Sequence, residues 1–174
     1  MRYCAFLRGV NVKGTTMKMA DVCAVFANVG VQKVTSVLAS GNIIFSSEEE
    51  VAVLKETLQK AMSAHFNYDA FLFIKSEKEI EEILKCNPFP KDENFHTYAF
   101  IGNDGVENIL AAEFEKAAKA ENEKGKITAQ TFYWQISKGN TLGSEFGKIL
   151  GRKSLKEQFT SRNINTFEKI IKKR

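Results

Sequence analysis

A chain of 174 residues, 44% hydrophobic and 26% charged, is long enough to bury its own core and needs no metal or disulfide to hold it. Its apolar runs, such as residues 4–7 and 71–74, fall far short of the ~18 residues of a spanning helix, so no membrane segment is expected. The net charge of +4 hides an asymmetry, because residues 124–174 carry twelve Lys or Arg against three Asp or Glu, and residues 1–123 carry thirteen against eighteen. The basic C-terminal third reads either as a solvated face or as a surface for an anionic partner, nucleic acid included.

At the N-terminus, Arg2 and Arg8 interrupt the apolar stretch before a signal-peptide core or cleavage site can form, and a cytoplasmic location is expected. Cys4, Cys23 and Cys86 show no CxxC or CxxH spacing, which fits buried thiols in a reducing compartment. His65 and His96 are the two histidines, too few for a His-rich metal centre. Neither a metal nor a cofactor is expected.

Residues 3–8 read as a buried strand, followed by a glycine-containing loop to Lys18. Met19, Val22, Phe26 and Val29 then share one helical face, with Gly30 as the stop. Two β-branched segments at 34–39 and 43–46 flank Ser40-Gly41-Asn42, and Gly-Asn suits a two-residue hairpin turn. Ser47 with Glu50 forms a candidate capping box for a helix whose Val51, Leu54, Leu58, Met62 and His65 align. A strand at 71–75 completes βαββαβ, the ferredoxin-like order.

Ser76 and Glu79 form a second capping box, opening a connector helix that ends before Asn87-Pro88. A strand at 97–101, a helix at 106–118 and strands at 126–129 and 132–136 repeat the first pattern. Helices at 142–150 and 163–172 follow. The expectation is an α+β protein of two ferredoxin-like subdomains in duplication, the second lacking its last strand and followed by C-terminal helices. The first subdomain with the connector helix spans 1–86 and the second spans 87–174.

Three polar segments could carry chemistry. Arg8-Gly9-Val10-Asn11-Val12-Lys13-Gly14 leaves a strand and delivers Lys18 to a helix start, where cationic side chains and the helix dipole favour phosphate or carboxylate. The plainer reading has the glycines turning the chain and Arg8 pairing with a carboxylate. In a sheet of order 4-1-3-2 the end of the first strand meets the beginning of the third. Arg8, Asn11, Lys18, Ser40 and Asn42 should then share one rim. Thr160 or Asn163 would cap the last helix, while Arg162 is left to reach a carboxylate or an anion. P-loop, GxGxxG, nucleophile-elbow and RNA-recognition signatures are absent, and Phe132 and Trp134 read as core.

Leu7-Arg8-Gly9-Val10-Asn11-Val12 with Met17-Lys18-Met19, Ser40-Gly41-Asn42-Ile43-Ile44-Phe45, Asn87-Pro88-Phe89 and Thr160-Ser161-Arg162-Asn163-Ile164-Asn165-Thr166 together resemble the bacterial DUF1697 proteins, a family of unknown function. The resemblance implies two ferredoxin-like subdomains followed by helices, and it brings no activity, substrate or cofactor. Two positions depart from it: Lys13-Gly14 stands where a glycine pair is usual, and Ser144-Glu145 where Ser-Lys is typical. Three functions stay open: a binding module for a small anionic ligand or phosphorylated partner using Arg8, Asn11, Lys18, Ser40, Asn42, Arg162 and Asn163; an enzyme acting on a phosphorylated or carboxylated metabolite, for which no acid, base or nucleophile is evident; and nucleic-acid binding through the basic C-terminal third.

Overall fold

Alternation along the first strand sets the layout of the first sheet. In the computed structural model, which describes residues 1–10 and 16–173, Tyr3, Ala5 and Leu7 of β1 (Arg2–Arg8) line one core. Cys4 and Phe6 point to the opposite face and are also buried. Burial on both faces is what a central strand requires, and it explains the unbroken apolar run. After β1 come α1 (Met19–Val29), β2 (Gln32–Val37), β3 (Asn42–Ser46), α2 (Val51–Phe66) and β4 (Phe71–Ser76). The sheet order is β2-β3-β1-β4, antiparallel throughout. Val22 and Phe26 of α1 and Leu54, Leu58 and Met62 of α2 close the core over Ile43, Phe45, Leu72 and Ile74. Each fully buried side chain of this kind contributes roughly 1.5–3 kcal/mol.

The chain continues through α3 (Glu77–Lys85), β5 (Phe95–Gly102), α4 (Val106–Lys116), β6 (Lys124–Thr128), β7 (Thr131–Ser137), α5 (Glu145–Leu150), β8 (Phe159–Asn163) and α6 (Ile164–Lys172). The second sheet runs β6-β7-β5-β8, again antiparallel. Its core is aromatic: Phe146 meets Phe114 at 5.3 Å and Trp134 at 5.1 Å edge-on. The buried Glu123 carboxylate accepts the Trp134 indole N–H at 3.0 Å and the Ala120 N–H at 2.8 Å, so its burial leaves both oxygens bonded. Tyr133, on the other face, donates its hydroxyl to Ile83 O at 2.7 Å, and burial pushes its pKa well up. Two compact units result, Met1–Ile80 with Glu168–Arg174, and Glu81–Phe167. The division falls inside α3, earlier than the 86/87 junction read from the sequence, and the end of α6 groups with the first unit. There Arg2 pairs with Glu77 at 2.8 Å and also bonds Lys173 O.

The second half does have its last strand. Phe159–Asn163 pairs with β5 from Tyr98↔Asn163 to Gly102↔Phe159. Its Thr-Ser-Arg-Asn run reads as a capping stretch in sequence, yet a five-residue strand at a sheet edge needs only alternation and one partner. The β2–β3 turn also differs from the expected Gly-Asn pair. Val37 faces Asn42, so the turn is Leu38-Ala39-Ser40-Gly41, with positive φ at Leu38 and Gly41. Ser47 does not cap α2. Its N–H bonds Met1 O at 3.0 Å and its Oγ accepts from Glu49 N–H at 3.1 Å, which keeps it on the strand side, and α2 starts after Glu50. Val51 and His65 are exposed at the two ends of α2. Leu142 is exposed ahead of α5, which Ser144 caps by accepting the Gly147 N–H at 2.8 Å.

Other readings hold. Gly30, at φ 104°, ends α1 and donates to Ala27 O at 3.0 Å. Ser76 and Glu79 bond reciprocally, Ser76 N–H to Glu79 Oε2 at 2.7 Å and Glu79 N–H to Ser76 Oγ at 3.3 Å. Phe132 and Trp134 lie in the core. Of the thiols expected to be buried, Cys4 is, whereas Cys23 and Cys86 are half-buried.

Candidate functional site

The end of β1 gathers most of the residues singled out from the sequence. Phe6 lies opposite Asn42, and the Leu7 N–H donates to Gly41 O at 2.8 Å, so the β2–β3 turn sits beside the residue before Arg8. On its other side Arg8 faces Phe71 of β4. Gly9, at φ 77°, turns the chain out of the strand. Val10 then folds back onto the turn: a Cβ on Gly41 would lie 3.0 Å from both Leu7 Cβ and Val10 Cγ1, tighter than ordinary carbon contacts, so that a neighbour would have to give way. Glycine at position 41, with its positive φ of 81°, therefore favours the approach of Val10 to the turn.

The return from the loop is pinned as well. Met17, buried like Val10, donates its N–H to Val10 O at 3.3 Å, and Lys18 follows as the N-cap of α1. Lys18 is extended and makes no side-chain cap bond, whereas most helices place Ser, Thr, Asp or Asn there. Its carbonyl accepts the Asp21 and Val22 N–H groups at 3.0 and 3.1 Å. The chain of contacts from Gly41 to Val10 to Met17 brings Arg8, Lys18 and Ser40 to one strand end. Asn11 and Lys13 lie outside the described residues.

Each side chain at this end has a distinct state. Arg8 is half-buried, and that burial pulls its pKa below the ordinary arginine value while leaving the guanidinium charged at neutral pH. Lys18 and Ser40 are exposed. Asn42 is wholly buried and donates through Nδ2 to Val37 O at 2.8 Å and to Ser40 Oγ at 3.0 Å. Its amide hydrogens hold the turn, so Asn42 acts as a positioning residue and not as an exposed contact. The arrangement offers two cationic side chains and the positive end of α1, offset in part by Asp21 in the first helical turn. Such a set can hold an anionic group.

Arg162 and Asn163 belong to the second unit. Arg162 is buried in β8, and its Nη1 donates to Thr160 Oγ1 at 2.7 Å and Ser161 O at 2.9 Å. Thr160 therefore serves the guanidinium and does not cap α6. Asn163 does cap it, accepting the Asn165 N–H at 3.0 Å, and its Nδ2 lies 3.0 Å from His96 Nδ1. Sequence reasoning passed over His96, because only the β5–β8 pairing brings it to Asn163. Glu145 accepts the Ala118 N–H. Among the described residues no cluster of His, Cys, Asp and Glu could hold a metal ion, and no helix is long and apolar enough to cross a membrane.

The described residues form two four-stranded antiparallel sheets with six helices, an α+β architecture in which the end of β1 closes onto the β2–β3 turn, and the chain matches the DUF1697 family, described as proteins of unknown function. The chain belongs to that family through residues 1–133, a stretch that holds both the loop and the turn but not the Thr160–Thr166 segment. A solved structure with similar architecture is the conserved bacterial protein SP0830 from Streptococcus pneumoniae, 25% identical over 98% of this chain and 97% of that one, with a TM-score of 0.78. No curated protein matches the chain.

Proposed function

We propose that this protein is a cytoplasmic binding module for a small anionic ligand or a phosphorylated partner, held at the end of β1 by Arg8, Lys18 and Ser40, with Asn11 a further candidate contact from the sequence. The observation that carries this reading is the closure of the loop onto the turn. Val10 packs on Gly41 and Met17 bonds Val10, so the cationic strand end and the uncapped start of α1 are held at one place before any ligand arrives. Preorganised charges and backbone donors of this kind suit a phosphate, sulfate or carboxylate. The equal element order of the two halves, with strand orders β2-β3-β1-β4 and β6-β7-β5-β8, supports reading them as copies of one ferredoxin-like unit, of which only the first carries this loop.

Thermal unfolding with inorganic phosphate, sulfate and nucleotides tests the proposal. A ligand at ten times its Kd should stabilise the protein by about 1.4 kcal/mol, which is roughly 3–6 °C for a chain of this size. Lys18→Ala, an exposed change, should weaken that response with little effect on the unliganded protein, and Arg8→Gln should weaken it further. Equal responses in all three proteins, or none in the parent, would defeat the reading.

A further inference from the structure

Asn163 is the last residue of β8, and α6 begins at the next. Its Oδ1 accepts the Asn165 backbone N–H at 3.0 Å. A backbone N–H only donates, so this contact fixes which end of the amide is oxygen. The Nδ2 end, a pure donor, then lies 3.0 Å from His96 Nδ1. Nδ1 must accept, and the imidazole in this arrangement is neutral with its proton on Nε2.

Protonation of His96 puts an N–H on Nδ1, facing the Nδ2 donor. Turning the amide would offer Oδ1 to the imidazolium but present Nδ2 to the Asn165 N–H, moving the donor–donor conflict to the first turn of α6. One hydrogen bond survives, not both. The groups facing the ring are Tyr98 of β5, with centroids 5.9 Å apart, Ile136 directly opposite on β7, and Asn163 on β8. Tyr98 is the titratable one, and its hydroxyl lies 3.5 Å from Thr141 Oγ1. The charged residues on the segments entering β5 and leaving β7 are Lys91, Asp92, Glu93 and Lys138, the last bonding Asn94 O through its N–H at 2.9 Å. Asn163 is the hydrogen-bond partner of the ring among the described residues.

We propose that His96 and Asn163 form a pH-sensitive switch at the start of α6: neutral His96 keeps Asn163 as the helix cap, and protonated His96 draws the amide away from it. Residues 164–167 of α6 group with the second unit and the helix from Glu168 onward with the first, so the switch acts on the helix through which the chain passes from one unit to the other. It does not depend on the anion site at β1.

Nitrogen-15 and proton NMR of the full chain tests this. At neutral pH the His96 ring should be the Nε2–H tautomer. As the pH is lowered, the Asn165 amide should shift together with the His96 ring resonances, and its hydrogen exchange, corrected for intrinsic pH dependence, should rise roughly fivefold, as one lost hydrogen bond implies. In Asn163→Asp the carboxylate can accept from both Asn165 and the imidazolium, and the Asn165 transition should vanish. A neutral Nδ1–H tautomer, an Asn165 amide that ignores the titration, or a transition that persists in Asn163→Asp would each overturn the proposal.

Discussion

Gly41→Ala should cost more than the same change at Gly30, and the difference measures how tightly the loop is held on the turn. Both glycines have positive φ, 81° and 104°, so alanine pays a similar left-handed backbone penalty of about 1–2 kcal/mol at each. The reduced freedom of the unfolded chain is likewise common to both. Only position 41 is crowded: a Cβ there meets Leu7 Cβ and Val10 Cγ1 at 3.0 Å, whereas at Gly30 nothing lies within 4 Å. Val10 can retreat, but Leu7 Cβ is fixed to the central strand, and forcing a methyl against it adds roughly 1–3 kcal/mol. Urea denaturation followed by far-UV circular dichroism should therefore place Gly41→Ala about 1–3 kcal/mol below Gly30→Ala. Gly41→Ala should also blunt the anion response, because Val10 is displaced from the turn. Equal stabilities for the two variants would refute the packing argument.

Other outcomes follow from single residues. Asn42→Ala should lose about 1–3 kcal/mol in the same assay, since the buried Val37 O loses its donor; a change under ~0.5 kcal/mol would show that the turn does not rely on the amide. Gln130→Gly should stabilise by about 1 kcal/mol, because the two-residue β6–β7 turn, closed by Thr128↔Thr131, holds both Ala129 and Gln130 at positive φ where glycine is favoured; a lower melting temperature would contradict this. At Glu79, burial raises the carboxyl pKa, but the Ser76 N–H and hydroxyl and Lys75 outweigh it and leave the pKa below the ordinary value. A depressed folded pKa contributes stability above the unfolded value of about 4.3 and loses it as pH falls through the folded one. Glu79→Gln should thus be less stable than the parent at neutral pH and match it near pH ~3; a deficit independent of pH would count against the pairing.

How far the sequence could be read depended on whether a feature was local. β1, α1 with its Gly30 stop and the Ser76–Glu79 box are each decided by neighbours in the chain, and they stand where the pattern places them. The meeting of the Arg8 end with the Ser40–Asn42 turn followed from strand order alone, which made part of the candidate site legible before any contact was known. β8 was not legible because Thr-Ser-Arg-Asn has a strand's alternation but a cap's composition, and its strand character comes from pairing with β5, some sixty residues earlier in the chain. His96 stayed hidden for the same reason. Ser47 misled because a capping pattern says nothing of the bond its N–H makes to Met1 O. Asn42 was read as a ligand contact; its burial, which no local pattern reports, makes it a support for the turn.

The most direct measurement is an amide NMR titration with inorganic phosphate, with and without Lys18→Ala. Binding at the end of β1 should shift the amides of Arg8, Gly9, Lys18, Met19 and Gly41 on one saturating curve, and Lys18→Ala should weaken that curve several-fold. Shifts confined to the basic residues beyond 124, falling steeply with added salt, or no saturable shifts at all, would contradict an anion site at the Arg8–Gly41 strand end.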